Sequence, residues 1–257
     1  MRDGVGGPEV LLLRKSARQR RFGSLWVFPG GGIDASDHIT HADGNLNVLA
    51  TAAAAAVREA REEAQLEVQR ESLAFISHWL PPANEAARLE RKYSTFFFAA
   101  AVPDSTSSAP VVRVDGSEIA EHMWLRPADA LDRHSNCELP LLPPTWVTLE
   151  ALRLCDTPSA AATVELVQRA QPASYVTRAV RQADGSTIFS FDGGDFGSSL
   201  DALTPSKLRL VSTPAAGDGS KSILRRERVA RGRNATPCLA DSLTSASVDP
   251  VHLTARR

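Results

Sequence analysis

The sequence predicts an α/β fold. Short apolar runs at 10–14, 73–80 and 93–102 are bounded by glycine, proline or charged residues and suit strands. One long stretch, 48–66, is alanine-rich with Arg and Glu interleaved and holds neither Gly nor Pro, which is a helix-forming composition. Further helical stretches open on prolines at Pro127, Pro144 and Pro158.

Taken in order, residues 10–14 form a buried strand between Gly6-Gly7-Pro8 and a basic loop, and Trp26-Val27-Phe28 form a shorter extended piece. Pro29-Gly30-Gly31-Gly32 stops that piece and permits backbone conformations a side chain would forbid. The helix at 48–66 follows. Residues 73–80 alternate as a strand ended by Pro81-Pro82, and the aromatic-rich run 93–102 reads as a central strand, with Phe96, Phe97 and Phe98 in the core. A short strand at 121–125 leads into a helix at 127–132. Helices are expected at 144–154 and, with Thr157 as N-cap and Pro158 at its first position, at 158–170. Residues 175–190 read as a hairpin around Ala183-Asp184-Gly185-Ser186. Residues 1–200 are thus expected as one domain that includes a C-terminal helical part. Residues 201–257 are expected as a mostly irregular, basic, Ser- and Ala-rich tail with too few large apolar groups to offset ordering entropy.

Composition excludes several classes of function. With 257 residues, 43% hydrophobic and 23% charged, the chain is an ordinary globular one and not a disordered one. Its 29 Lys+Arg and 30 Asp+Glu give a net charge of -1, so it lacks the overall basic field of a non-specific nucleic-acid binder. The basic cluster Arg225-Arg226-Glu227-Arg228, Arg231 and Arg233 lies in the tail, and nucleic acid is not expected as the partner. Cys137, Cys155 and Cys238 fit neither a disulfide framework nor a paired-thiolate zinc site, which points to a reducing compartment. No apolar run reaches the ~18 residues of a membrane span, and no secretory or other targeting signal is read, so a soluble intracellular protein is expected.

Chemistry concentrates in Arg58-Glu59-Ala60-Arg61-Glu62-Glu63. Glu59, Glu62 and Glu63 stand at i, i+3 and i+4, so on a helix their carboxylates project from one face and repel. A hard divalent cation such as Mg2+ or Mn2+ would offset that repulsion; a solvated acidic face relieved by Arg58 and Arg61 is the structural alternative.

With the preceding Trp26-Val27-Phe28-Pro29-Gly30-Gly31, this string resembles the box of the Nudix hydrolases, G-x5-E-x7-R-E-U-x-E-E-x-G-U, where U is a bulky aliphatic. Gly31 matches the box glycine, Arg58 to Glu63 its core and Leu66 its last aliphatic. Gly31 and Arg58 lie 27 positions apart against the family's 14, so about 13 residues are inserted. The first box Glu corresponds to Asp37 counted from Gly31 or to Ala50 counted from Arg58. The box's late glycine is Gln65, and Ala60 replaces a bulky aliphatic. A box split in this way, with matching stretches at 9–15, 26–37, 79–82, 91–99, 124–127 and 139–152, is similar to the acyl-coenzyme A diphosphatase-like branch over about residues 1–200.

The resemblance implies a Nudix-type α/β/α sandwich with a mixed sheet. That branch has one more strand before the Arg-Asp-Gly found here as Arg2-Asp3-Gly4, so the sheet is expected to lack its first edge strand. It implies a Mg2+- or Mn2+-dependent diphosphatase acting on coenzyme A or an acyl-CoA, a small-molecule diphosphate, to give 3',5'-ADP and (acyl-)phosphopantetheine, with the peroxisome or mitochondrion as family locations. Glu59 and Glu63 are then direct metal ligands, Glu62 a bridging ligand or base, the Gly30 carbonyl a backbone ligand, and Arg58 the residue that orients the glutamates. Glu118 is a further acidic ligand or general base by the same resemblance, or else a solvated loop carboxylate. Arg14, Lys15, Arg18, Arg20 and Arg21 either meet phosphate or form a solvated run. His38 and His41 are expected to face solvent. Other readings are a nucleotide-sugar, dinucleotide or capped-RNA pyrophosphohydrolase, since the box sets the chemistry and peripheral loops the leaving group, and a catalytically weakened Nudix-like binding protein.

Overall fold

A computed structural model of the chain describes residues 1–18, 23–81, 94–102, 112–114, 117–192, 209–214 and 222–226. Strands β1 (Arg2–Gly4), β2 (Gly7–Lys15) and β3 (Trp26–Val27) come first, then a 3-10 turn (Ala35–Asp37) and helix α1 (Val48–Ala64). Strands β4 (Ala74–Leu80), β5 (Thr95–Ala99) and β6 (Ile119–Leu125) follow, then helices α2 (Pro127–Ser135), α3 (Pro143–Leu154) and α4 (Ala160–Arg169). Strands β7 (Ala173–Arg181), β8 (Thr187–Asp192), β9 (Arg209–Pro214) and β10 (Ser222–Arg226) complete the described elements.

Two sheets result. In the first, β2 is paired antiparallel with β1, β3 and β6. The second is mixed and six-stranded, in the order β10-β9-β8-β7-β4-β5, with β4 and β7 its parallel pair. The alternation along β2 separates two helical layers, because successive strand side chains point to opposite faces. Val10 and Leu12 join the core that holds Trp146, Val147 and Leu149 of α3, whereas Leu11 and Leu13 pack with Ala64 and Leu66 at the end of α1. Leu12 and Leu13 are both wholly buried.

Helix α1 starts where Asn47 caps it, its side chain accepting from the Ala50 N–H at 3.0 Å. It ends at Gln65, whose backbone is left-handed (φ 55°, ψ 33°). That conformation explains why the related box carries glycine there: a side chain in it costs roughly 1–2 kcal/mol.

Three expectations change. Helix α4 begins at Ala160 with Ser159 as its N-cap, not at Pro158 with Thr157; the Ser159 hydroxyl accepts from the Ala162 N–H, and Asp3 takes the Ala160 N–H at 2.6 Å. The strand expected to be central, β5, ends its sheet, and Phe96, Phe97 and Phe98 are only half-buried. The folded part also runs past residue 200. Strands β9 and β10 extend the second sheet and bury Leu210 and Leu224 in the main core, while the rest of 201–257 lies outside the described residues.

Candidate active site

The turn after β3 and the C-terminal half of α1 meet face to face. The Gly30 N–H donates to Glu63 Oε2 at 2.9 Å. At Gly31 the Glu59 carboxylate comes so close that a Cβ would stand 2.4 Å from its Oε1, so any larger residue there would push the carboxylate out of its present place. Lys15 arrives from the third side. On β2 it follows Leu11 and Leu13 on the face toward α1, and its Nζ lies 3.6 Å from Glu63 Oε1 and 3.4 Å from Glu118 Oε1.

Arg58 gathers the other carboxylates. Its Nε and Nη2 donate to both oxygens of Asp37 at 3.0–3.3 Å, its Nη1 to Glu59 Oε1 and Glu62 Oε2 at 2.9 Å each, and its Nη2 to the Gly32 carbonyl at 2.7 Å. Asp37 is buried and also accepts from the Asp34 N–H at 2.8 Å. Of the two positions that could supply the first acidic residue, Asp37 holds the arginine; Ala50 lies in the first turn of α1, two turns away, with no carboxylate to offer. The insertion between Gly31 and Arg58 is therefore threaded to return Asp37 to the helix. It is fastened by the Asn47 N–H to the Ile39 carbonyl and the Ile39 N–H to Thr51 Oγ1.

The electrostatics divide the acids. Burial pushes the Glu63 carboxyl up to about 7, only partly opposed by the Gly30 N–H and the Lys15 charge. Burial also raises Glu59, against the pull of Arg58. For Asp37 burial acts upward too, but the Arg58 hydrogen bonds, the Asp34 N–H and the Arg58 charge together leave it below the ordinary carboxylate value. Arg58 itself is raised by those partners, Asp37 foremost.

Of the three helix glutamates, Glu59 and Glu63 are sequestered, while the Glu62 side chain is 53% exposed and tied to the site through Arg58. Glu118 is also about half exposed but is joined to Glu63 through Lys15, whereas Glu121 pairs with Arg14 at 2.7 Å on the outside of β6. His38 and His41 face solvent. Arg20 and Arg21 lie outside the described residues. Among the described residues no group of three His, Cys, Asp or Glu side chains is already gathered as a metal site, because Glu59 is turned onto Arg58 and Glu63 onto Gly30 and Lys15. The donor chemistry nevertheless suits a hard cation: Glu59 and Glu63 are desolvated carboxylates near enough for the charge of Glu59 to act on Glu63, and an ammonium, Lys15, already lies 3.6 Å from Glu63 Oε1. Lys15 is the residue that sequence reasoning left among the loop charges. Its signal was the period-two continuation of Leu11 and Leu13.

The NUDIX domain profile matches residues 1–143. The chain belongs to the Nudix family. Over 80 residues it is 34% identical to the acyl-coenzyme A diphosphatase NUDT19 of Gallus gallus, covering 31% of this chain and 20% of that protein, so the matched segment spans about a fifth of the relative's length. Among solved structures, a NUDIX hydrolase from Alicyclobacillus acidocaldarius is similar with a TM-score of 0.49 and 21% identity, covering 64% of this chain and 91% of the other. A MutT/nudix family protein from Enterococcus faecalis gives a TM-score of 0.30 and 18% identity, over 45% and 36% of the two chains. No helix among the described residues is long and apolar enough to cross a membrane.

Proposed function

We propose that this Nudix protein is a diphosphatase that cleaves coenzyme A or an acyl-CoA at its diphosphate, releasing 3',5'-ADP and (acyl-)phosphopantetheine. The observation that carries the reading is the Arg58 clamp, which draws Asp37, Glu59 and Glu62 to one guanidinium and leaves Glu63 buried against the Gly30 N–H. A helix gains little from such crowding of like charge, whereas a site for a cation and a diphosphate needs it. The substrate class rests on the split box, whose insertion supplies Asp37, and on the partial likeness to the acyl-coenzyme A diphosphatase of Gallus gallus.

Nudix hydrolases generally use divalent cations, and here Glu59 and Glu63, with Glu62 and the Gly30 carbonyl, would hold Mg2+ or Mn2+, which neutralises the diphosphate and lowers the pKa of the attacking water. The protein's own groups do the rest. Arg58 fixes the rotamers of Glu59 and Glu62 by donating to both. Gly31 leaves room for the Glu59 carboxylate at the turn, where a Cβ would displace it. Lys15 offers a positive charge to a diphosphate oxygen, and its pairing with Glu118 keeps that loop carboxylate at the edge of the site. Glu118 then accepts the proton of the attacking water, with Glu62 as the other base within the clamp.

The test is to incubate the protein with coenzyme A, an acyl-CoA, ADP-ribose, diadenosine polyphosphate and capped RNA in Mg2+ or Mn2+ and to identify products. 3',5'-ADP from the first two supports the reading. Efficient turnover of another diphosphate with no 3',5'-ADP overturns the substrate class and leaves the reaction class.

A further inference from the structure

Two cations stand at the site, and they are held differently. The Arg58 guanidinium donates to Asp37, Glu59, Glu62 and the Gly32 carbonyl at 2.7–3.3 Å, and its planar fork fixes its direction. The Lys15 ammonium lies 3.4 Å from Glu118 Oε1 and 3.6 Å from Glu63 Oε1, farther than the ~2.7–2.9 Å of a close charge-assisted hydrogen bond. It is a point charge on a flexible stem, placed between two carboxylates but clasped by neither.

The fold builds that place. The Lys15 N–H donates to the Leu25 carbonyl and the Lys15 carbonyl accepts from the Ser24 N–H, at 3.0 Å each, which pins its backbone to the residues that lead into β3. On its other edge the β2–β6 register slips. Arg14 faces Glu121 but Lys15 faces Ile119, so Ala120 is the extra residue of a bulge. The slip brings Glu118 opposite Ser16, whose N–H donates to the Glu118 carbonyl at 2.8 Å. In a regular register Ile119 would stand there, so the bulge is what supplies the ammonium with its second carboxylate.

The place is contested. A divalent cation on Glu63 Oε1, at the ~2.0–2.6 Å such ions keep from oxygen, would stand no more than ~6 Å from an ammonium that stayed where it is. Like charges that close repel strongly where carboxylates are already desolvated. We propose that Lys15 is a displaceable counter-ion: its ammonium competes with the divalent cation for Glu63 and Glu118 and gives up both when a diphosphate offers it another partner. Lys15 has this role only if Glu63 is a ligand, as proposed above. Cation and diphosphate then bind cooperatively, each favouring the other by the same factor. Arg58, held by several short bonds at once, stays in place throughout.

The test reads Mn2+ binding to the full chain from the loss of the free-ion EPR signal, with and without methylenediphosphonate, a diphosphate mimic whose bridge is not cleaved. Lys15→Met keeps the apolar stem and should bind Mn2+ alone ~10-fold more tightly than the parent does. Methylenediphosphonate should tighten Mn2+ binding in the parent at least ~10-fold more than in Lys15→Met. Lys15→Arg restores the charge and grips carboxylates more firmly, so it should return Mn2+ affinity to the parent value or below it. Arg14→Met removes an equal charge one residue away, where the guanidinium pairs with Glu121 on the outside of β6, and should change Mn2+ affinity by less than ~3-fold. Lys15→Gln takes the place of Lys15→Met should the latter melt below the assay temperature. Unchanged Mn2+ affinity in the Lys15 variant, or an equal gain from Arg14→Met, overturns the proposal and leaves the site. Mn2+ binding that Glu63→Gln does not weaken would put the cation elsewhere and overturn both.

Discussion

Replacing Glu63 with glutamine separates what the carboxylate does for the fold from what it does for the reaction. A folded-state carboxyl raised from 4.5 to about 7 binds its proton more tightly than the unfolded chain does. Stability therefore falls as pH rises from about 4.5 through about 7, by up to about 3 kcal/mol in chelator. Glutamine removes that loss and keeps an oxygen for the Gly30 N–H, but it deprives Lys15 of one of its two carboxylate partners. The net gain at pH 8 is about 2 kcal/mol, or roughly 4–8 °C for a protein of this size, and it vanishes near pH 4.5. The assay is Tm against pH in EDTA for parent and Glu63→Gln, repeated with Mg2+ or Mn2+, alongside turnover of coenzyme A. The cation should raise the parent's Tm more than the variant's, and turnover of the variant should fall by at least ~100-fold, as expected when a ligand to the reacting centre is lost. Parallel Tm profiles for the two proteins in chelator would refute the burial argument, and near-normal turnover would refute the site.

Other substitutions probe the surrounding parts. Asp37→Asn leaves Arg58 short of its buried partner and should cost about 3 kcal/mol in a denaturant titration, the lower end for a broken buried pair because Glu59, Glu62 and Gly32 still hold the guanidinium. Gln65→Gly relieves the left-handed cap and should add about 1 kcal/mol without changing kcat, which a combined melt and rate measurement checks. Glu118→Gln should lower kcat by ~100-fold or more with little change in KM, while Glu121→Gln, whose carboxylate only meets Arg14, should be nearly silent. Equal kcat values for the two across the pH profile would move the base role to Glu62.

Where local chemistry decides the structure, the sequence was legible. The alanine-rich run became α1 nearly residue for residue, the turn Pro29-Gly30-Gly31 met the carboxylate helix, and Ala183-Asp184-Gly185-Ser186 closed the β7–β8 hairpin. What depended on distant partners was not. Spacing alone could not choose between Asp37 and Ala50, because the path of the insertion sets the choice. Lys15 looked like one of several loop charges until β2 placed it in phase with Leu11 and Leu13. The start of α4 was set by Asp3, more than 150 positions away, reaching the Ala160 amide. Strands β9 and β10 were missed because polar surroundings hid Leu210 and Leu224, whose burial depends on neighbours in the sheet and on α2.

The insertion that splits the box leaves and rejoins the fold at a single neck. Thr40 bridges to Leu46, the Asn47 N–H reaches Ile39, and the segment between turns at Gly44, where the backbone is left-handed (φ 83°). Everything beyond the neck is a side bulb, and Asp37, the one part the site uses, sits on the near side of it. A fluorophore or a short epitope grafted at the exposed Ala42, beside Gly44, would therefore hang from the molecule without lengthening the path between Asp37 and Arg58. That makes the tip of the bulb the natural handle for immobilising or labelling the protein while its chemistry is measured.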